Sequence, residues 1–114
     1  MNSRLRQRAS TETLKQVNSM LYSTLKSLLS PLCPCADISL ASKIDPNWEG
    51  VAVEVNSIIM VIYPVASVSG NKSDLAWNVD VMDQESYDPD VYDFEDVYAA
   101  IGFVVATHLK LTSI

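Results

Sequence analysis

The chain has 114 residues, of which 48% are apolar and 19% are charged, and its formal net charge is −6. An apolar fraction of this size supports a packed core, so the composition excludes a disordered acidic tail. The length is that of one domain, large enough to fold without disulfide staples. We therefore expect a flexible basic arm over residues 1–10 and a single domain over residues 11–114.

The sequence contains no segment that predicts a transmembrane helix. Its longest apolar runs, residues 57–68 and 99–108, are shorter than the 18 or so residues that a spanning helix requires. The basic N-terminus is not followed by an apolar stretch, which argues against a secretory signal. Cys33 and Cys35 are the only cysteines, and such sparse usage predicts an intracellular, cytoplasmic protein.

Charge is distributed unevenly along the chain. Residues 1–26 have a balance of +4, residues 27–73 a balance of −2, and residues 74–114 a balance of −8. Because asymmetry of this kind often marks an interaction surface, it directs attention to the C-terminal third.

The first predicted element is a helix that begins near Thr11. Apolar residues recur at three- and four-residue steps and so share one helical face, namely Leu14, Val17, Leu21, Leu25 and Leu28. Pro31 and Pro34 predict that this helix ends near Leu29.

Strands are predicted after this helix. Apolar and polar residues alternate over residues 38–44, 51–55 and 75–82, and the β-branched run at 58–63 is typical of a central strand. Asn56 and Ser57 fit a tight hairpin turn, or else a bulge in one long strand. Pro64 marks the point where its strand ends or reaches an edge. Short connections between the strands indicate an antiparallel meander.

A second helix is predicted at the C-terminal end. Asp88 and Pro89 are typical of an N-cap and a first helical residue, and Asp93 is a later alternative cap. Residues 99–106 are apolar nearly all round, which favours burial by the sheet and the first helix, or by a second subunit. The predicted fold is therefore α+β (α-β-β-β-β-α). It has an antiparallel meander of about four strands with both terminal helices packed on one face.

Cys33, Cys35 and His108 are the residues best suited to catalysis or metal binding. Structural zinc requires four ligands at recognised spacings, which two cysteines in a C-x-C pair and one distant histidine do not provide. The common nucleophile, metalloprotease and phosphate-binding motifs do not occur in the sequence. We therefore expect a non-enzymatic protein with no metal and no cofactor, and keep an unrecognised site around these three residues as the enzymatic alternative.

The N-terminal arm carries Arg4, Arg6 and Arg8, which can contact phosphates. The remainder of the chain is acidic and repels nucleic acid, so we expect no direct nucleic-acid binding and no membrane partner. The arm then either solubilises the chain or pairs with the acidic patch of a neighbouring subunit.

The most distinctive feature is an acidic segment, residues 80–98, in which aromatic residues are spread among the acids. It contains eight acidic residues within 17 positions and no basic residue among them. Clustered carboxylates select basic surfaces, and tyrosines supply apolar anchors. The predicted partner-binding residues are Asp80, Asp83, Glu85, Tyr87, Asp88, Asp90, Tyr92, Asp93, Glu95 and Asp96. The alternative is a solvated loop followed by the acids that a helix N-terminus favours.

These features favour a module that binds a basic surface of another protein. In one version it is an inhibitor whose carboxylates mimic nucleic-acid charge. Virus-encoded counter-defence proteins are often small, acidic and poor in motifs in the same way, an analogy of composition and charge. A related version is a small acidic dimeric chaperone or adaptor. The alternative is a structural or assembly subunit. A homodimer would form through the helix that carries Ile101, Val104 and Val105.

Overall fold

The computed structural model describes residues 11–34, 36–66, 75–86 and 88–112. The elements are α1 (Thr11–Leu29), β1 (Asp37–Leu40), a 3-10 turn (Ala41–Lys43), β2 (Val51–Val55), β3 (Ile58–Ala66), β4 (Leu75–Asp83), β5 (Asp90–Phe94) and α2 (Val97–Thr112). The strands form one antiparallel sheet in chain order. The α+β class, the meander and the two terminal helices are confirmed, with five strands where about four were expected.

Both helices pack on the same face of the sheet. The buried side chains of α1 are Leu21, Leu25 and Leu29, and those of α2 include Ala100, Ile101 and Val104. They form one core with alternate residues of the strands, among them Val51, Val53, Met60, Ile62, Trp77 and Val79. Leu21 and Leu25 of the predicted α1 face are buried, as is Leu29, which was expected to widen it, whereas Leu28 is exposed. Full burial of one such side chain contributes about 1.5–3 kcal/mol.

The opposite face of the sheet is covered over part of its width by the connection between β1 and β2. Buried Ala41 lies in this connection, and Ile44 and Trp48 pack against a core that includes Ile59 and Val61. Gly50 ends the connection at φ 95°, where a Cβ atom would collide with the carbonyl oxygen of Ile62. Only glycine fits this close approach.

The turn and the strand edge predicted within the sheet are both confirmed. Asn56, with φ 55°, lies in the two-residue hairpin turn that joins β2 to β3. The pairing of β3 with β2 stops at Ile62, whereas its pairing with β4 continues to Ala66. Among the described residues, Pro64 therefore lies where β3 pairs with no strand on the β2 side, and an edge of this kind is where a sheet tolerates proline.

The predicted start of the second helix is wrong. Asp88 and Pro89 precede strand β5, and α2 begins at Val97 with Asp96 before it. The Oδ1 atom of Asp96 accepts a hydrogen bond of 2.8 Å from the backbone N–H of Tyr98, as an N-cap does. Residues 90–94 can alternate between the two faces of a sheet, and pairing with the long strand β4 overrides the local helix signal.

The inner face of α2 is used within the chain itself. Ile101 and Val104 are buried against the sheet and α1, so these two side chains are not available to the predicted dimer face. Val105 is half-buried and keeps part of its surface. Within the described ranges, neither helix combines the length and apolarity needed to cross a membrane.

Candidate interaction surface

The structure distributes the acidic segment over the end of β4, the following connection, β5 and the cap of α2. Most of the predicted partner-binding residues are exposed, namely Asp83, Glu85, Asp88, Asp90, Tyr92, Asp93, Glu95 and Asp96. Asp80 differs from them, because it is half-buried within β4. Tyr87 lies outside the described residues. The exposed members on β5 and just after it lie at one edge of the sheet, whereas Asp83 pairs with Ile58 and lies beside the β2–β3 turn.

The register between β4 and β5 places these residues on two faces. Asp90 pairs with Val81 and Tyr92 with Val79, which puts both side chains on the face that carries the helices. Asp93 pairs with Asn78 and therefore belongs to the opposite face. The acids thus surround the β5 edge from both sides rather than forming one flat patch.

A hydrogen-bonded polar strip lies on the face opposite the helices. The Tyr63 hydroxyl donates to Oδ1 of Asp80 at 3.0 Å. The Asn78 amide, oriented so that its nitrogen faces Asp93, donates to Oδ1 of Asp93 at 2.8 Å. These four side chains, which we call the polar strip, link β3, β4 and β5 across the sheet.

Burial shifts the proton affinities within the polar strip. Burial raises the pKa of Asp80, and the negative charge of Asp93 raises it further, while the hydrogen bond from Tyr63 acts in the opposite direction. Burial likewise raises the pKa of Tyr63, so its hydroxyl keeps the proton that it donates. Since a nearby positive charge would favour the ionised form of Asp80, the strip is suited electrostatically to a cationic group.

Apolar anchors lie beside the acids. The ring of Tyr92 stacks at a tilt on Phe103 of α2, with 4.7 Å between centroids, and Phe94 contacts the same ring at 5.4 Å. Tyr92 nevertheless remains 42% exposed, and Val91 and Tyr98 are 51% and 76% exposed. Aromatic side chains held in place on one side and open on the other are typical of interface anchors.

The residues considered for catalysis do not form a recognisable site in the described part of the chain. The Sγ atom of Cys33 lies 3.9 Å from Oγ1 of Thr112. His108 is only 2% exposed, its Nδ1 atom has no hydrogen-bond partner among the described residues, and burial lowers its pKa. Cys35 lies outside the described residues, and those that are described contain no cluster of three or more metal-binding side chains.

Sequence reasoning placed Asp80 among the surface acids and missed its bond to Tyr63. The sequence did contain a signal for this bond. Asn78 and Asp80 alternate with buried neighbours in β4, and Tyr63 lies on the same face of the adjacent strand β3. Only the register of β3 against β4 shows that the three side chains share a face.

Comparison of the chain with protein-family models, with curated protein sequences and with solved structures gave no match.

Proposed function

We propose that this protein is a non-enzymatic module that binds a basic surface of another protein through the region around β5. The observation that carries the proposal is the gathering of exposed acids around this edge. No lysine or arginine occurs anywhere in residues 73–109, so the segment itself provides no cation to neutralise them. Asp90 and Asp93 are two of these acids, and they lie on opposite faces of the edge strand.

The two chemical components of the surface have different roles. An exposed ion pair contributes only about 0–1 kcal/mol, so the acids mainly raise the association rate and reject acidic partners. Affinity must come from apolar contacts at the centre of the interface. Val91, Tyr92 and Tyr98 are exposed beside the acids and can supply them.

A narrower form of the proposal is an inhibitor that mimics nucleic acid. Carboxylates displayed on both sides of one strand would then take the places of phosphates in a basic groove of the target. This form predicts that the target's own nucleic acid competes with the protein for the same groove.

A second candidate function is that of a dimeric chaperone, adaptor or assembly subunit. It is favoured by apolar side chains left exposed on the helices, namely Met20, Leu28, Tyr98 and Leu109. Exposed apolar surface is commonly covered by association. Association of this kind would persist in high salt, whereas binding through the acids would weaken.

Affinity capture with three full-length baits tests the proposed function. The baits are the wild type, Asp90→Asn/Asp93→Asn and Asp37→Lys. Both variants change the net charge by the same amount, and Asp37 is an exposed acid on β1, the opposite edge strand. Asp96 is left intact because it caps α2.

The proposal predicts basic proteins that bind the wild type and the Asp37→Lys bait, are lost from Asp90→Asn/Asp93→Asn, and elute at about 0.5 M salt. Retention of the same proteins by all three baits, without sensitivity to salt, would contradict it. Salt-resistant self-association in all three would instead support the assembly subunit.

A further inference from the structure

In the part of the chain that the structure describes, strand β5 has an open edge. It is the last strand of the sheet, and among the described residues it pairs only with β4. In an antiparallel ladder, every second residue directs its N–H and C=O groups away from its partner strand. The outer side of β5 therefore presents backbone donors and acceptors that another strand can pair with.

Charge determines which strand can use this edge. If β5 of a second copy paired with it, Asp90 and Asp93 would approach the same acids of that copy, with Asp88 and Glu95 close by. Like charges on adjacent strands are destabilising. A strand that carries lysine or arginine reverses the sign of these interactions.

Each face of β5 carries one acid and one exposed apolar side chain, and this arrangement predicts a pattern for the incoming strand. Val91 and Asp93 lie on the face of the polar strip. Asp90 and Tyr92, whose ring contacts Phe103, lie on the face that carries the helices. Along β5 the order is therefore acid, apolar, apolar, acid, and the segment that fits has two apolar residues between basic ones.

We propose that the β5 edge binds an extended basic segment of a partner protein, which joins the sheet as an additional strand with two apolar residues between basic ones. Strand addition of this type draws affinity from the backbone and specificity from alternate side chains. The inference rests on the proposed function and adds the backbone geometry of the contact. The β1 edge suits such a segment less, because it is four residues long and contains one acid, Asp37.

Two synthetic peptides test the inference against the full-length protein. The first repeats the unit Arg-Val-Val-Arg over about eight residues, a common strand length. The second has the same sequence and charge, but its backbone is N-methylated at every residue, so neither of its edges can donate to β5. Binding is measured by calorimetry, and the β5 amides are followed by hydrogen exchange.

We expect the unmethylated peptide to bind at least about tenfold more tightly than the methylated one. We also expect it to slow the exchange of alternate β5 amides, and Asp90→Asn/Asp93→Asn to weaken it while Asp37→Lys does not. If both peptides bind equally and the double variant weakens both, strand addition is wrong and the proposed function stands. If neither peptide binds, or the double variant has no effect, both proposals are wrong.

Two other occupants would also overturn the inference. Protection of the β5 amides that grows with protein concentration, without peptide, would identify a second copy. Protection that is lost from the peptide-free protein on changing Arg4, Arg6 and Arg8 to Ser would identify the chain's own basic segment.

Discussion

The Tyr63 hydroxyl in β3 donates a 3.0 Å hydrogen bond to Oδ1 of Asp80 in β4, on the sheet face that the helices leave free. The bond satisfies a half-buried carboxylate whose pKa is raised by burial and by the neighbouring Asp93. Because burial and Asp93 disfavour the ionised form of Asp80, a positive charge placed beside the polar strip would stabilise that form.

Replacing Tyr63 with phenylalanine should raise the pKa of Asp80 further, because the lost bond favours the ionised form. A folded pKa above the ordinary value of 3.8 means that the contribution of Asp80 to stability is full below that pH. This contribution to stability is lost as the pH rises through the pKa of Asp80 in the folded protein. Tyr63→Phe should increase the stability lost over this range. Carboxyl NMR titration measures the pKa directly. Tyr92→Phe, on the other face, is the control, and an unchanged Asp80 pKa in Tyr63→Phe would contradict the prediction.

His108 should make the protein sensitive to mild acid. Burial lowers its pKa below the ordinary value of 6.5, so the unfolded chain takes up a proton more readily than the folded one. Its contribution is therefore full above pH 6.5 and is lost as the pH falls toward the folded pKa. His108→Leu should gain stability relative to the wild type between about pH 7 and about pH 5 in urea unfolding. A constant difference between the two proteins across that range would show that His108 is not the group responsible.

Two glycine-to-alanine changes should have effects of opposite sign. Gly50→Ala forces a Cβ into the Ile62 carbonyl at a positive φ, and the backbone strain alone costs about 1–3 kcal/mol. Gly102→Ala meets nothing within 4 Å on a helix and should stabilise the protein by about 1 kcal/mol. Equal free energies of unfolding for the two variants would mean that the connection between β1 and β2 does not place Gly50 against the Ile62 carbonyl.

The true start of α2 can be tested by removing each proposed cap. Asp96→Ala should lower the free energy of unfolding by about 1 kcal/mol, because the bond to the Tyr98 N–H is lost. Asp96→Asn should keep most of the wild-type free energy of unfolding. Asp88→Ala should have almost no effect, since Asp88 is exposed and precedes a strand. A larger loss for Asp88→Ala than for Asp96→Ala would favour the earlier helix start.

Local sequence patterns predicted most of the fold because they report burial. In β2 and β4, the alternation of apolar and polar residues identifies the face that packs against the core. In α1, the spacing of the leucines does the same. Strand β5 was not predicted because Asp88 and Pro89 mimic a helix start, and because its residues are mostly exposed and so lack the alternation that marks a buried face. A local sequence pattern does not show which strands pair with each other.

Composition predicted which segment forms the candidate surface, but it did not predict how the residues of that segment are arranged. The charge excess identified the segment, whereas the assignment of Asp90 and Asp93 to opposite faces depends on the register with β4. In the same way, the buried character of Asp80 depends on the position of Tyr63 across the hairpin. A shift of one residue in register would reverse every one of these assignments.

The most direct test of the account is the dissociation constant of the Arg-Val-Val-Arg repeat peptide for three full-length proteins at about 0.05 M salt. If the acids around β5 form the binding surface, Asp90→Asn/Asp93→Asn should weaken binding at least about tenfold, or about 1.4 kcal/mol. Asp37→Lys, with the same change in net charge, should weaken it less than about twofold. Equal weakening by both variants would show that the peptide responds only to the total charge of the molecule, and would contradict a binding surface at β5.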